Sequence, residues 1–164
     1  MYNQRTKGLT VRGLMTDVLT EVMELRRELI LIKKEPTARN SLFNAIPVSF
    51  PISSDEDMAI LEEYLTESID FHNAVLELAK IGGSRPYDFI SRVATLLISN
   101  EQALKYSWLG RKGKRIFSDT RVANLLIEAL SATSLANTRK EAETAIQLWL
   151  RRAFDRKNNK FNKK

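Results

Sequence analysis

The stretch LTVRGLMTDVLTEVMELRRELILIKKE, residues 9–35, decides the class of fold. Its apolar residues Val11, Met15, Val18, Val22, Leu25, Leu29 and Ile32 alternate steps of four and three. That is a heptad stripe on one helix, with Met15, Val22 and Leu29 at a and the others at d. The flanks carry matching charge. Glu21 and Glu28 fall at g, Arg26 and Lys33 at e, so in a parallel pair Glu21 meets Arg26 and Glu28 meets Lys33 of the other strand. A helix packed on its own domain would need a similar stripe but no sign-matched flanks. Residues 1–36 are therefore expected to form a parallel, dimerising coiled coil.

Working outward, Pro36 ends this helix, and Pro47 and Pro51 favour extended backbone. Residues 37–53 are too apolar for a free tether. They are expected to lie extended along a neighbouring domain, anchored by Phe43, Ile46 and Phe50. A compact bundle of about five helices is expected over 54–156. Ser54 caps the first, with Met58, Leu61 and Leu65 inward. A second runs from about Ser68 to Ile81, burying Ile69, Val75, Leu76 and Leu78, and closes at Gly82-Gly83. Pro86 opens a third, with Phe89, Ile90, Val93, Leu96 and Leu97 inward. Ser99 and Gln102 form a capping box for a short helix. Ser118 or Asp119 caps the next, and Asn137 or Thr138 opens the last, which reaches Phe154. Residues 157–164 read as a basic, disordered tail. No alternation suggests a strand, so the expected class is all-α.

The chain of 164 residues has an ordinary apolar fraction of 43% and no cysteine, which excludes disulfides and thiolate metal sites. Neither a secretory signal nor a membrane span is apparent, so an intracellular protein is expected. The net charge of +6 is unevenly spread. Residues 53–79 carry eight carboxylates and no Lys or Arg, whereas residues 105–121 and the stretch from Arg151 are strongly basic. A basic half suits a polyanionic partner and a nuclear location.

Enzyme signals are poor, and no catalytic residue, cofactor, metal or small-molecule substrate is expected. His72 is the sole imidazole, and without cysteine it has no nucleophile partner of a recognised kind. Asp55-Glu56-Asp57 stands at a helix start, where the dipole explains it. Gly110-Arg111-Lys112-Gly113-Lys114-Arg115 lacks the preceding strand and following Ser or Thr of a nucleotide loop. Its four cations, interleaved with glycine and preceded by Trp108, suit phosphate contact, although a solvated loop or localisation signal would look alike.

The run Tyr106-Ser107-Trp108-Leu109-Gly110-Arg111-Lys112-Gly113-Lys114, inside Phe89–Phe117, resembles a domain of unknown function recurrent in uncharacterised insect and other invertebrate proteins. The likeness spans roughly 48–135 and includes Phe50-Pro51 and Gly82-Gly83. More loosely, Leu96, Leu97, Ser99, Gly110, Gly113 and the two helices that follow are similar to the BEN domain, a DNA- and protein-binding module of chromatin factors. Ile98 stands where that family usually has phenylalanine. The second resemblance implies DNA contact by the last helix and tail, through Arg151, Arg152, Arg156 and Lys157.

Two functions compete. One is a homodimer presenting Arg111, Lys112, Lys114, Arg115 and the C-terminal cations to nucleic acid or chromatin. The other is an assembly adaptor that recruits proteins through the coil and apolar linker. The first requires self-association. Light scattering at tens of micromolar should give twice the chain mass, and Val22→Asp with Leu29→Asp should halve it, since each unpaired buried charge costs several kcal/mol. A monomeric parent protein would eliminate the coil.

Overall fold

A computed structural model describes the backbone of residues 11–34 and 41–161, and side-chain surroundings for 13–26 and 41–159. The chain divides between residues 39 and 40 into two units. The first holds α1 (Val11–Lys34), one uninterrupted helix. Its seam residues Met15, Val18, Val22 and Leu25 are all exposed, Met15 by 63% and Val22 by 44%. Glu21 and Arg26 are exposed beside them. The side chains of Val11, Glu28, Leu29, Ile32 and Lys33 lie outside the described residues, as do residues 1–10, 35 and 36 of the expected coil.

The second unit is mainly α. Its helices are α2 (Leu42–Ala45), α3 (Asp55–Tyr64), α4 (Ser68–Ala79), α5 (Pro86–Leu97), α6 (Asn100–Ala103), α7 (Arg121–Ala132), α8 (Arg139–Arg151) and α9 (Ala153–Phe161). The core forms where α7 meets α4, α5 and α8. Val122, Ala123, Leu125, Leu126, Ile127, Ala129 and Leu130 of α7 are all buried, and a helix apolar on so many sides belongs inside. Phe89, Ile90, Val93, Ala94 and Leu97 come from α5, and Ala142, Ala145, Ile146, Trp149 and Leu150 from α8. The buried Trp149 indole N–H reaches the Thr95 hydroxyl at 3.3 Å. An interior aromatic with a polar edge usually needs such a partner.

Caps follow local chemistry. The hydroxyls of Ser54, Ser99, Thr120 and Thr138 accept from the N–H three residues on, which starts α3, α6, α7 and α8. Thr120, not Ser118 or Asp119, starts α7. The Phe117 and Ser118 N–H groups are committed to the carbonyls of Ser107 and Trp108, so the backbone stays extended that far. Ser99 is only half of a capping box, because its own N–H goes to the Ile52 carbonyl at 2.9 Å.

Five further expectations are corrected. Residues 41–53 are not extended throughout. The Glu77 carboxylate on α4 accepts from the Ser41 hydroxyl and, at 2.7 Å, from the Leu42 N–H, closing the helical turn α2. Residues 37–40 of that linker lie outside the described residues. Among the described residues seven helices, not five, follow Ser54. The expected last helix breaks at Arg152 into α8 and α9, and Phe154 is exposed. Residues 157–161 are helical in α9, not disordered, because Ala153 is buried and α9 packs on α6. Residues 162–164 lie outside the described residues. Finally, Ile69, Leu76 and Leu96 face outward, Ile69 being 74% exposed, because α4 and α5 bury narrower stripes than their apolar content suggests.

Gly83 sets how closely the α4–α5 connection approaches the next helix. A Cβ there would stand 2.8 Å from the Phe89 nitrogen and 2.9 Å from its Cα, both backbone atoms that cannot swing aside. Gly83→Ala should therefore cost about 1–3 kcal/mol, the usual range for overpacking. An unchanged urea midpoint would show that the connection yields freely.

Candidate nucleic-acid interface

The expectation that the chain has no strand, and that none precedes the basic run, is corrected here: two short strands frame it, each too short to show an alternation. Strand β1 (Tyr106–Ser107) pairs in parallel with β2 (Arg115–Ile116), Tyr106 opposite Arg115 and Ser107 opposite Ile116. Parallel neighbours normally need a crossover of about a dozen residues. Here residues 108–114 suffice, with left-handed backbone at Gly110 (φ 70°), Lys112 (φ 60°) and Gly113 (φ 71°). Gly110 is doubly constrained, since a Cβ would meet the Ile116 side chain at 2.8 Å. Lys112 holds a conformation that L-residues adopt at some cost. The Tyr106 ring lies edge-on to buried Phe117, centroids 5.6 Å apart, which ties the crossover to the core.

Against this crossover stands the end of α8, and between them opens a cleft of about 460 Å³. Tyr106, Trp108 and Leu109 line one side together with Arg111, Lys112 and Lys114; Gln147, Leu150 and Arg151 line the other. Gln147 and Arg151 are one helical turn apart and share a face. Among the described residues no carboxylate lines the cleft. Among the described residues none of its four cations has an ion-pair partner. The cleft thus combines unpaired positive charge with an aromatic and aliphatic lining, which suits an anion bearing an apolar or π-faced group.

The remaining predicted cations are placed elsewhere. Arg115 turns away to Asp55, its two terminal nitrogens 2.8 and 3.0 Å from the two carboxylate oxygens. Asp55 also accepts from Gln102 Nε2 at 2.8 Å and Lys105 Nζ at 3.0 Å. These bonds, that of Gln102 foremost, hold the Asp55 carboxyl well below the usual carboxylate range, and the Arg115 guanidinium rises correspondingly. Arg152 lies over the Tyr87 ring at 5.1 Å. Arg156 is a structural residue, not a free surface cation. It stacks on Trp149 at 4.5 Å and donates to the Trp149 carbonyl at 2.6 Å and to Asn100 Oδ1 at 3.0 Å. Burial draws its guanidinium below the ordinary value. Lys157 stands 4.0 Å from Glu101.

Of the eight predicted cations, Arg111, Lys112, Lys114 and Arg151 converge; Arg115, Arg152, Arg156 and Lys157 do not. Tyr106, Leu109, Gln147 and Leu150 were not anticipated at the site. The helical spacing of Gln147 and Arg151 was a readable signal for a common face, but not for what that face opposes.

Comparison of the chain with protein-family models, curated proteins and solved structures found no match. Among the described residues no group of His, Cys, Asp or Glu could hold a metal ion, and no helix is long and apolar enough to cross a membrane.

Asp55 makes a pH signature. Its folded carboxyl titrates below the unfolded one, so its contribution is present above the usual carboxylate range and is lost as pH falls through and below that range. Melting temperature should therefore fall from pH 5 toward pH 3, and more steeply for the parent protein than for Asp55→Asn, which should already be lowered at pH 7. Parallel curves for the two proteins would mean that Asp55 carries no such linkage.

Proposed function

We propose that the chain is a homodimeric, nuclear nucleic-acid-binding module, associated with DNA or chromatin, that contacts phosphate through the cleft between the β1–β2 crossover and α8. The observation that carries this reading is the convergence of Arg111, Lys112, Lys114 and Arg151, from two separate stretches of sequence, on one carboxylate-free cleft beside Trp108. Unpaired cations around a concavity raise the local concentration of a polyanion and release its counterions on binding. The run Tyr106 to Lys114, which carries the likeness to the invertebrate family, forms one wall of this cleft. We propose membership of that family on this ground. The BEN-like expectation narrows to Arg151 among the C-terminal cations.

The parallel coil through α1 supplies the second half of the proposal. Exposed Met15, Val18, Val22 and Leu25 lie between charges that match in a parallel pair. Two copies of the cleft on one dimer would bind a polymer with higher avidity than either alone. The same stripe favours the adaptor reading if its partner is another protein, with no nucleic-acid contact at all.

Salt dependence distinguishes the two. Lys112→Glu with Lys114→Glu should alter stability by only about 0.5 kcal/mol, because both face solvent or the open cleft. It should weaken nucleic acid of every sequence alike, and flatten the slope of log affinity against log salt by about one for each lost phosphate contact. Anisotropy titrations at two salt concentrations measure both effects. Unaltered affinity, or no binding by the parent protein at low salt, would leave the adaptor reading in front.

A further inference from the structure

Resting on the nucleic-acid reading, we infer that the cleft receives an unpaired nucleotide, so the preferred partner is single-stranded nucleic acid and not the duplex. The shape of the site carries the inference. Phosphate contact with a duplex needs only an exposed basic surface, because the duplex turns its backbone outward and keeps its bases stacked. Here the cations rim a concavity of about 460 Å³ whose lining includes Trp108, Leu109 and Leu150. That is within the range of small-molecule sites and accommodates one base with its sugar. A duplex cannot present a base face there without flipping it; a single strand can at no such cost.

The chemistry is divided in the way a nucleotide requires. Trp108 offers an indole that is half-buried against the core, so it is held in place yet reachable from the cleft. Base stacking on such a ring tolerates any sequence. Gln147, half-buried on α8, offers both a donor and an acceptor to a base edge. Arg111 and Lys112 on one wall and Arg151 on the other are placed to hold the phosphates on either side of the inserted base. An apolar lining would be a poor surface for a phosphate alone, and cations would be a poor lining for a purely apolar ligand. The two together select a molecule that has both parts.

The chain contains two tryptophans, and this gives a direct readout. Trp149 is fully buried, so a base stacking in the cleft quenches Trp108 alone. Full-length protein is titrated with a labelled oligothymidylate and with its duplex on oligoadenylate, following anisotropy and tryptophan emission. The single strand should bind about tenfold or more tightly than the duplex, the effect of one stacked base, and should quench emission at saturation. Trp108→Phe should abolish the quench while retaining most of the affinity, and Arg151→Ala should weaken binding with the quench preserved at saturation. Equal affinity for strand and duplex, or binding without quenching, overturns the inference and leaves the phosphate-binding reading standing. Binding of neither at low salt removes both.

Discussion

The Asp55 carboxylate is the contact on which the geometry of the basic region depends. It stands at the first turn of α3 and receives Gln102 from α6, Lys105 just before β1 and Arg115 at the start of β2. Residues on both sides of the crossover are thereby tied to one point. Exposed ion pairs are usually weak, but this one collects an amide, an ammonium and a bidentate guanidinium, which restricts geometry more than a single pair does. With both ends held, the left-handed residues between them must close within a short span. Arg111, Lys112 and Lys114 are then carried out on the resulting turn.

The acidic stretch has a wider internal role. Besides Asp55, Glu62 accepts from the Arg121 and Val122 N–H groups at 2.8 and 3.0 Å, so α3 helps to cap the central helix α7. Glu77 does the same for α2. Carboxylates at helix N-termini satisfy donors that have no intrahelical partner and meet the positive end of the dipole. Asp55, Glu62 and Glu77 of the acidic stretch are thus engaged inside the unit, Asp55 with two cations. Among the described residues, Arg111, Lys112, Lys114 and Arg151 make no ion pair and stand together at the cleft rim.

The opposite fate befalls Arg156. In sequence it is one of several cations in a polar tail, indistinguishable from Lys157 or Lys160. In the structure its guanidinium stacks on Trp149 and closes a hydrogen bond to Asn100, pinning α9 to α6. The planar fork of arginine permits stacking and hydrogen bonding together, which lysine does not. The tail is helical at least as far as Phe161 because it has this anchor.

The sequence by itself determined what depends on near neighbours. The positions of the longer helices followed from apolar spacing, and the caps at Ser54 and Ser99 from hydroxyls that reach an N–H three residues away, whereas the choice of Thr138 over Asn137 and the break between α8 and α9 did not. The paired strands were not legible, because two residues each are too few to show a period. Nor was the start of α7, which waits for Thr120 because Phe117 is held by a distant carbonyl. The candidate site was half legible. Its residue types stood in the open, yet which cations were free could not be read. Arg115 and its partner Asp55 are 60 residues apart, and so no local pattern records their union. Only the tertiary structure withdrew Arg115 and Arg156 and brought Arg151 to face Lys112. Which charges pair is decided by proximity in space, and that is set by how the buried faces of α5, α7 and α8 pack.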